Sequence, residues 1–444
     1  MDYNSKFENV SVIGAAGKMG SGIVLLTLLE MAEIKHKPEN QGKTFILNAI
    51  DISQQALNGL TNYLRNQVLR SAEKRIVVLR EIYRDDESLI ENKEIIDQYV
   101  SDVLSLLRQS TTLQAANDSG LIFEAVSENP ELKIKLLSEI HKINRQSGWF
   151  FSNTSSVPIH ELDEKAKLQG RIAGFHFYNP PAVQKLVELI LTDKTLPELG
   201  EFAVTFAKNL HKTIVYSNDV AGFIGNGHFM RDVIYAMDEV ARLSGKMSRA
   251  EAIWAMNKIS QDFLIRPMGI FQLADYVGLD VCRYIMNVMN DRLDEKIRSP
   301  LLDEFIQLGI MGGQHSDGTQ KNGILKYEKN KILAVFDLQQ EAYIELEKID
   351  SKISNYLGAL PPSHIAWKSI IRNPQKEILL QKYFSEIKSM QTAGAELARK
   401  YSVRSKDIAL KLVKEGVAKN EEDVNTVLLT GFYHAYGPIH NYLV

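Results

Sequence analysis

The stretch Gly174–Ile190, GFHFYNPPAVQKLVELI, places one imidazole and one carboxylate in an otherwise apolar setting. His176 lies between aromatics, and Glu188 follows twelve residues later inside LVELI. An imidazole titrates near pH about 6.5, so it both takes and returns protons at neutral pH. A carboxylate on its second nitrogen fixes the tautomer and stabilises the cation that forms. Oxidation of a secondary alcohol needs such a group, because a hydride leaves carbon while a proton leaves oxygen. Positioned acid–base catalysis of this kind contributes about 10²- to 10⁴-fold. The rival reading is a pair of satisfied core polar groups. Groups suited to orienting a substrate oxygen occur at Ser155, in SNTSSVPI, and at Asn226, in NDVAGFIGN. Ser155 is also a turn former, and the glycines before Asn226 make it a candidate helix cap. Glu128, in VSENPELK, is a candidate cap for the helix after Pro130. Glu124 reads as structural.

The N-terminal segment suggests what would accept the electrons. NVSVIGAAGKMGSGIVLLTLLEMA reads as a strand, a glycine turn and a helix, the opening of a dinucleotide fold. Gly14 allows the tight turn, Gly17 lets backbone approach a pyrophosphate, and Gly20 lets helix pack closely on strand. Lys18 and Met19 complete the cofactor loop, where unpaired N–H groups and the helix dipole favour phosphate. The spacing is G-x-x-G-x-x-G, with Ala16 where the usual second glycine falls. A second strand, KTFILNAIDIS, ends at Asp51, an acid suited to ribose hydroxyls. No Arg or Lys follows in ISQQ to hold a 2′-phosphate, which favours NAD over NADP. Asp51 lies 31 residues after Gly20, so IKHKPENQGK reads as an insertion.

These residues need a scaffold. Ser53 caps the first of two or more helices running to about Arg108. Strand-like runs follow at 121–126, in GWFFSN ending at Asn153, in RIAGFHF, in QKLVELI and in KTIVYS. Their alternation with helices implies a doubly wound α/β domain to about residue 217, with ligands in the crevice beyond the carboxyl ends of its strands. From Asp219 the pattern is helical, and Ser248 with Glu251 forms a capping-box signal. The 444 residues exceed one typical core and suggest two or three domains. A net charge of −3 carries no basic field for nucleic acid. The lone Cys282 excludes an intrachain disulfide and fits a reducing compartment. The N-terminal segment lacks the pattern of a signal peptide, and its apolar run is too short to span a bilayer. The expectation is a cytoplasmic protein with no membrane partner and no metal.

FEAVSENPELK, SNTSSVPI, GFHFYNPPAVQKLVELI, NDVAGFIGN and RPMGIFQLADYVGLD occur in that order. Together they resemble the L-3-hydroxyacyl-CoA dehydrogenase family over residues 8–327. The resemblance implies a Rossmann-type domain, an all-α second domain and NAD-dependent interconversion of L-3-hydroxyacyl-CoA and 3-oxoacyl-CoA, as in fatty-acid oxidation. It implies that His176 is the general base or acid, with Glu188 its orienting partner. Ser155 and Asn226 would hold the substrate oxygen, and Glu128 and Asn153 would face the cofactor. An acyl-CoA thioester is the implied substrate. The alternatives are a relative acting on a small hydroxy acid without CoA, and a non-catalytic NAD-binding paralogue.

The expected domains are 1–217, 218–330 and 331–444. The last reads as a helical extension and a degenerate second copy of the helical domain, because Gly416–Val424 repeats the spacing of Gly245–Ile253 and Gly437 falls at a place comparable to Gly269, the second copy being three residues shorter. Chance similarity between helical segments is the rival. Either homo-oligomerisation or intrachain pairing of the two copies would bury the apolar face of that domain.

Overall fold

The computed structural model describes residues 3–315, 318–329 and 331–443. The chain divides into two units, Met1–Asp219 and Val220–Val444.

The first unit is built on eight strands: β1 (Asn9–Ile13), β2 (Ile46–Ile50), β3 (Leu107–Ser110), β4 (Leu121–Glu124), β5 (Trp149–Ser152), β6 (Ile172–Phe177), β7 (Leu186–Ile190) and β8 (Thr213–Ser217). Their order is β3-β2-β1-β4-β5-β6-β7-β8, parallel throughout except for β6 against β7. The order reverses between β1 and β4, the switch point where such sheets bind ligands. Strands β4 to β7 are buried along their whole length, as expected for a sheet covered on both faces. One face carries an aromatic layer in which Phe151 and Phe175 lie 4.8 Å apart, centroid to centroid, with Phe123, Phe202 and Phe206 around them.

The long interval before Asp51 has a simple origin. The helix after the glycine loop runs from Lys18 to Lys35, and a 3₁₀ turn at Pro38–Asn40 fills the connection to β2. The insertion is therefore shorter than the sequence suggests, since Ile34 and Lys35 are still helical. Ser53 caps Gln54–Lys74 by accepting from the Ala56 N–H, and two further helices, Ile76–Ile82 and Asn92–Ser105, complete the segment.

The second unit is mainly helical. Phe223–Leu243, Arg249–Lys258, Ile270–Val277, Leu279–Asn290 and Pro300–Gln307 come first, then Leu346–Leu357, Lys376–Ser389, Ala393–Lys414 and Glu421–Gly431. The Ser248–Glu251 capping box forms as expected. One addition corrects the all-α expectation. Strands β9 (Leu325–Glu328), β10 (Lys331–Asp337) and β11 (Ala342–Glu345) form an antiparallel sheet. Buried Asp275 anchors its start by accepting from the Ile324 and Leu325 N–H groups and the Tyr327 hydroxyl. The expected boundary at 330/331 falls between two paired strands, so a domain limit there would sever a sheet. Asn330 itself lies outside the described residues.

Residues after 345 pack on the first helices of this unit. Tyr401 Oη donates to Asp232, Tyr383 Oη to the Phe263 carbonyl and Tyr436 Oη to the Leu264 carbonyl. Arg266 bonds Asp232 at 2.5 Å. No helix among the described residues is long and apolar enough to cross a membrane.

Candidate active site

The glycine loop has the geometry a dinucleotide needs. Gly14 has φ 76°, and a Cβ there would meet the Ala125 carbonyl oxygen at 2.6 Å. A Cβ on Gly20 would stand 2.0 Å from the Gly14 oxygen, so only glycine lets the helix start against the turn. Gly17 is the N-cap residue of Lys18–Lys35 and makes no side-chain cap bond. Lys18 is exposed and Met19 half-buried at that terminus. Asp51 ends β2 beside the loop, where its Oδ2 accepts from the Ala16 N–H at 3.0 Å. That contact holds the acid against the glycine loop despite the longer spacing. These residues fit a dinucleotide.

A second cluster sits where β4 and β5 end. The Lys133 ammonium, 1 % exposed, lies 2.8 Å from Glu124 Oε1 and 3.2 Å from Glu128 Oε2. Glu124 also accepts from the Ser152 hydroxyl and the Val126 N–H. Glu128 Oε1 accepts from Thr154 Oγ1, from the N–H groups of Ser155 and Ser156 and from both serine hydroxyls. Burial alone would raise the Glu128 carboxyl. The Lys133 charge and the donors of 154–156 outweigh it and hold the group at about 2. Glu128 is thus an ionised clamp on the turn that carries Ser155. The helix-capping alternative fails, because Asn129 caps Pro130–Ile143 through the Leu132 N–H. Asn153 Oδ1 accepts from the Phe177 N–H at 2.9 Å, which ties this turn to the end of β6.

The acid–base pair follows from strand register. His176 and Glu188 are direct cross-strand partners in the antiparallel β6–β7 pair. Alternation sends both side chains to one face, while Phe175, Phe177, Val187 and Leu189 face the other. His176 Nδ1 lies 2.9 Å from Glu188 Oε2, with the imidazole side chain 9 % exposed and the carboxylate fully buried. A buried carboxylate needs a charged or donating partner, and the imidazole supplies one.

Asn226 lies in the first turn of Phe223–Leu243, half-buried within the second unit. Gly222, with φ 87°, is the N-cap of that helix, so capping does not explain Asn226. Two residues outside the sequence candidates join the first-unit cluster. Lys133 shares the buried stripe of its helix with Leu137 and Ile140, an i, i+4, i+7 pattern visible in the sequence. Tyr178 stands two residues after His176, just beyond the end of β6, and its hydroxyl donates to Glu188 Oε2.

A glycine loop at the switch point of a mostly parallel sheet, with a histidine–carboxylate pair on its later strands, defines a dinucleotide-dependent oxidoreductase of an alcohol–ketone couple. The sequence matches the family model "3-hydroxyacyl-CoA dehydrogenase, NAD binding domain" over residues 9–220, and that of the C-terminal domain of the same enzymes over residues 222–322. A probable 3-hydroxyacyl-CoA dehydrogenase of Caenorhabditis elegans is 30 % identical over 323 residues, 71 % of this chain and 93 % of the relative. The human mitochondrial hydroxyacyl-coenzyme A dehydrogenase is 30 % identical over 71 % of this chain and 91 % of its own length. The chain belongs to the 3-hydroxyacyl-CoA dehydrogenase family, and its first unit carries the family's NAD-binding domain. A crystal structure of 3-hydroxybutyryl-CoA dehydrogenase from Escherichia coli shares the fold over 98 % of this chain and 90 % of that one, with a TM-score of 0.62 at 20 % identity.

Proposed function

We propose that the chain interconverts an L-3-hydroxyacyl-CoA and the corresponding 3-oxoacyl-CoA, with NAD as redox partner. The observation that carries this reading is the cross-strand His176–Glu188 pair at 2.9 Å, on the same sheet as the glycine loop. NAD, when bound, supplies the two-electron acceptor; Gly14, Gly17, Lys18, Met19, Gly20 and Asp51 would hold it. Glu128 and Asn153 shape the turn after β5 toward it. Glu188 fixes the imidazole through Nδ1, leaving Nε2 the atom that takes the 3-hydroxyl proton in oxidation and returns it in reduction. The family resemblance makes Ser155 and Asn226 the candidates for orienting the substrate oxygen. The test is an NADH-absorbance assay with acetoacetyl-CoA and longer 3-oxoacyl-CoAs, with the free acids as controls. Turnover of the thioesters alone supports the reading. Turnover of free hydroxy or oxo acids instead would favour the small-acid alternative, and no turnover of either the non-catalytic one. His176→Gln should lower kcat by about 10²- to 10⁴-fold and leave the NADH dissociation constant nearly unchanged.

The tail is part of the same proposal: residues after about 345 are a degenerate second copy of the first helical segment. Its support is a set of features repeated at one interval of 168 residues. Asn257 Oδ1 accepts from the Phe271 N–H, and Asn425 Oδ1 from the Ile439 N–H. Ile265 and Tyr433 are both left-handed, with φ 49° and 55°. Gly269 and Gly437 each press against the asparagine, 2.1 and 2.2 Å from its Oδ1 if given a Cβ. Intrachain pairing of the copies is the role this suggests. A cytoplasmic location and a place in fatty-acid oxidation complete the reading; the single, buried Cys282 suits a reducing compartment.

A further inference from the structure

Glu188 does not serve His176 alone. The Tyr178 hydroxyl donates to the same carboxylate oxygen, Oε2, over 2.8 Å, while His176 Nδ1 lies 2.9 Å from it. Tyr178 also lies against the imidazole, ring centroids 4.8 Å apart at an interplanar angle of 40°. The three side chains form a closed triangle: imidazole to carboxylate, phenol to carboxylate, phenol ring to imidazole. Register sets two of its members, since 176 and 188 are cross-strand partners, and Tyr178 is the first residue after β6.

A buried phenol needs a partner for its O–H. Burial, the Glu188 charge and the hydrogen bond push the Tyr178 hydroxyl well above its ordinary ionisation range. It therefore stays protonated and remains a donor wherever an imidazole titrates. An oxygen that accepts a second donor is a weaker base toward the first. The phenol thereby limits how far the carboxylate stabilises the imidazolium, and it denies Glu188 the freedom to rotate away.

We propose that Tyr178 is a positioning residue for proton transfer, setting both the orientation and the basicity of the Glu188–His176 pair. This rests on the reading of His176 as the proton-transfer group. A charged group on a neighbouring element is Lys212, ahead of β8. Its ammonium donates to the Pro181 and Gln184 carbonyls and lies 5.8 Å from the Phe177 ring centroid, on a residue of the opposite strand face. Glu128 is engaged by Lys133 and the 154–156 turn. Neither arrangement involves the Tyr178 hydroxyl.

Tyr178→Phe keeps the ring and removes only the donor. Two readouts separate this inference from the reaction assigned to the site. The first is NMR titration of ¹⁵N-histidine-labelled full-length protein without substrate, the His176 signals being those absent from His176→Gln. The second is the pH dependence of turnover with acetoacetyl-CoA and NADH. In Tyr178→Phe the midpoint of the ring's titration should rise by about half to one pH unit, and the matching limb of the pH–rate profile should rise with it. The variant's kcat should fall about three- to tenfold while both KM values stay within about twofold. A ring midpoint within about 0.2 pH unit of the unsubstituted protein overturns the proposal, whatever the kinetics. If the unsubstituted protein turns over no CoA thioester, the reaction falls, yet the NMR titration still decides for or against Tyr178.

Discussion

Lys133 is a buried charge shared between two carboxylates. Removing one partner of a buried ion pair typically costs about 3–5 kcal/mol, because the remaining charge is stranded. Lys133→Met, which strands both Glu124 and Glu128, should therefore lower the urea midpoint by that much stability at unchanged m-value. Glu128 adds a pH signature. Its folded carboxyl sits at about 2, below an unfolded value of about 4.3, so its contribution is full above pH 4.3 and fades as pH falls toward 2. The shift corresponds to roughly 3 kcal/mol at neutral pH. Acid unfolding followed by circular dichroism should begin at higher pH in Lys133→Met, and Glu128→Gln should flatten the dependence. At this scale His176 and Glu188 were legible because apolar neighbours isolate them. Lys133 was not, because one lysine among KIKLL means little until the buried stripe of its helix is known. Asn153 was assigned to the cofactor, and its visible contact is to the Phe177 N–H.

Strands and helices were legible as elements, but not their directions. Residues 172–177 and 186–190 have the same pattern whether they pair parallel or antiparallel, and only the antiparallel register brings His176 opposite Glu188. In the sheet at 325–345 the two outer strands are four residues long, partly exposed and charged; the central KILAVFD has the apolar run of a strand and was passed over because the surrounding segment reads as helical. The paired asparagine–glycine contacts give a test at the same scale. Asn257→Ala and Asn425→Ala should each destabilise by about 1–3 kcal/mol, by leaving a turn N–H unsatisfied. Gly269→Ala and Gly437→Ala should cost about 1–3 kcal/mol by overpacking against those amides. Combining Gly437→Ala with Asn425→Ala should cost less than the sum, since the second change removes what the first collides with. Full additivity in denaturant titrations would refute the contact.

For the molecule as a whole, the tail is the element to remove. A chain ending after Asn322 loses the Tyr401, Tyr383 and Tyr436 bonds and uncovers the face they seal. It should self-associate or precipitate, as large exposed apolar patches do, while the first unit still binds NADH. Light scattering that finds it monodisperse, with its subunit number unchanged, would defeat the pairing of copies. The second unit also carries buried histidines. Burial pulls His228 below its usual range and His440 to about 4; burial, then Arg266 and His228, push His434 well below its own. Groups depressed on folding add stability above the unfolded value near 6.5 and lose it as pH falls, so the urea midpoint of this unit should drop between about pH 6.5 and 4. The order of an α/β part followed by a helical one and the 3-hydroxyacyl-CoA dehydrogenase chemistry were legible in the sequence; it divided the chain in three where the fold shows two units, because tail packing depends on contacts far apart along the chain. One feature reaches beyond folding. Imidazole, carboxylate and phenol all fall within residues 174–190, whereas the glycine loop and Asn226 are separately encoded. A recombination event that swaps this short segment transfers the proposed proton-handling group as one heritable cassette, and length changes in the 179–185 connection leave the β6–β7 register intact. A single-codon insertion inside β7 would turn the acid to the opposite face, so coding-length variation should concentrate in the connection and avoid the strand.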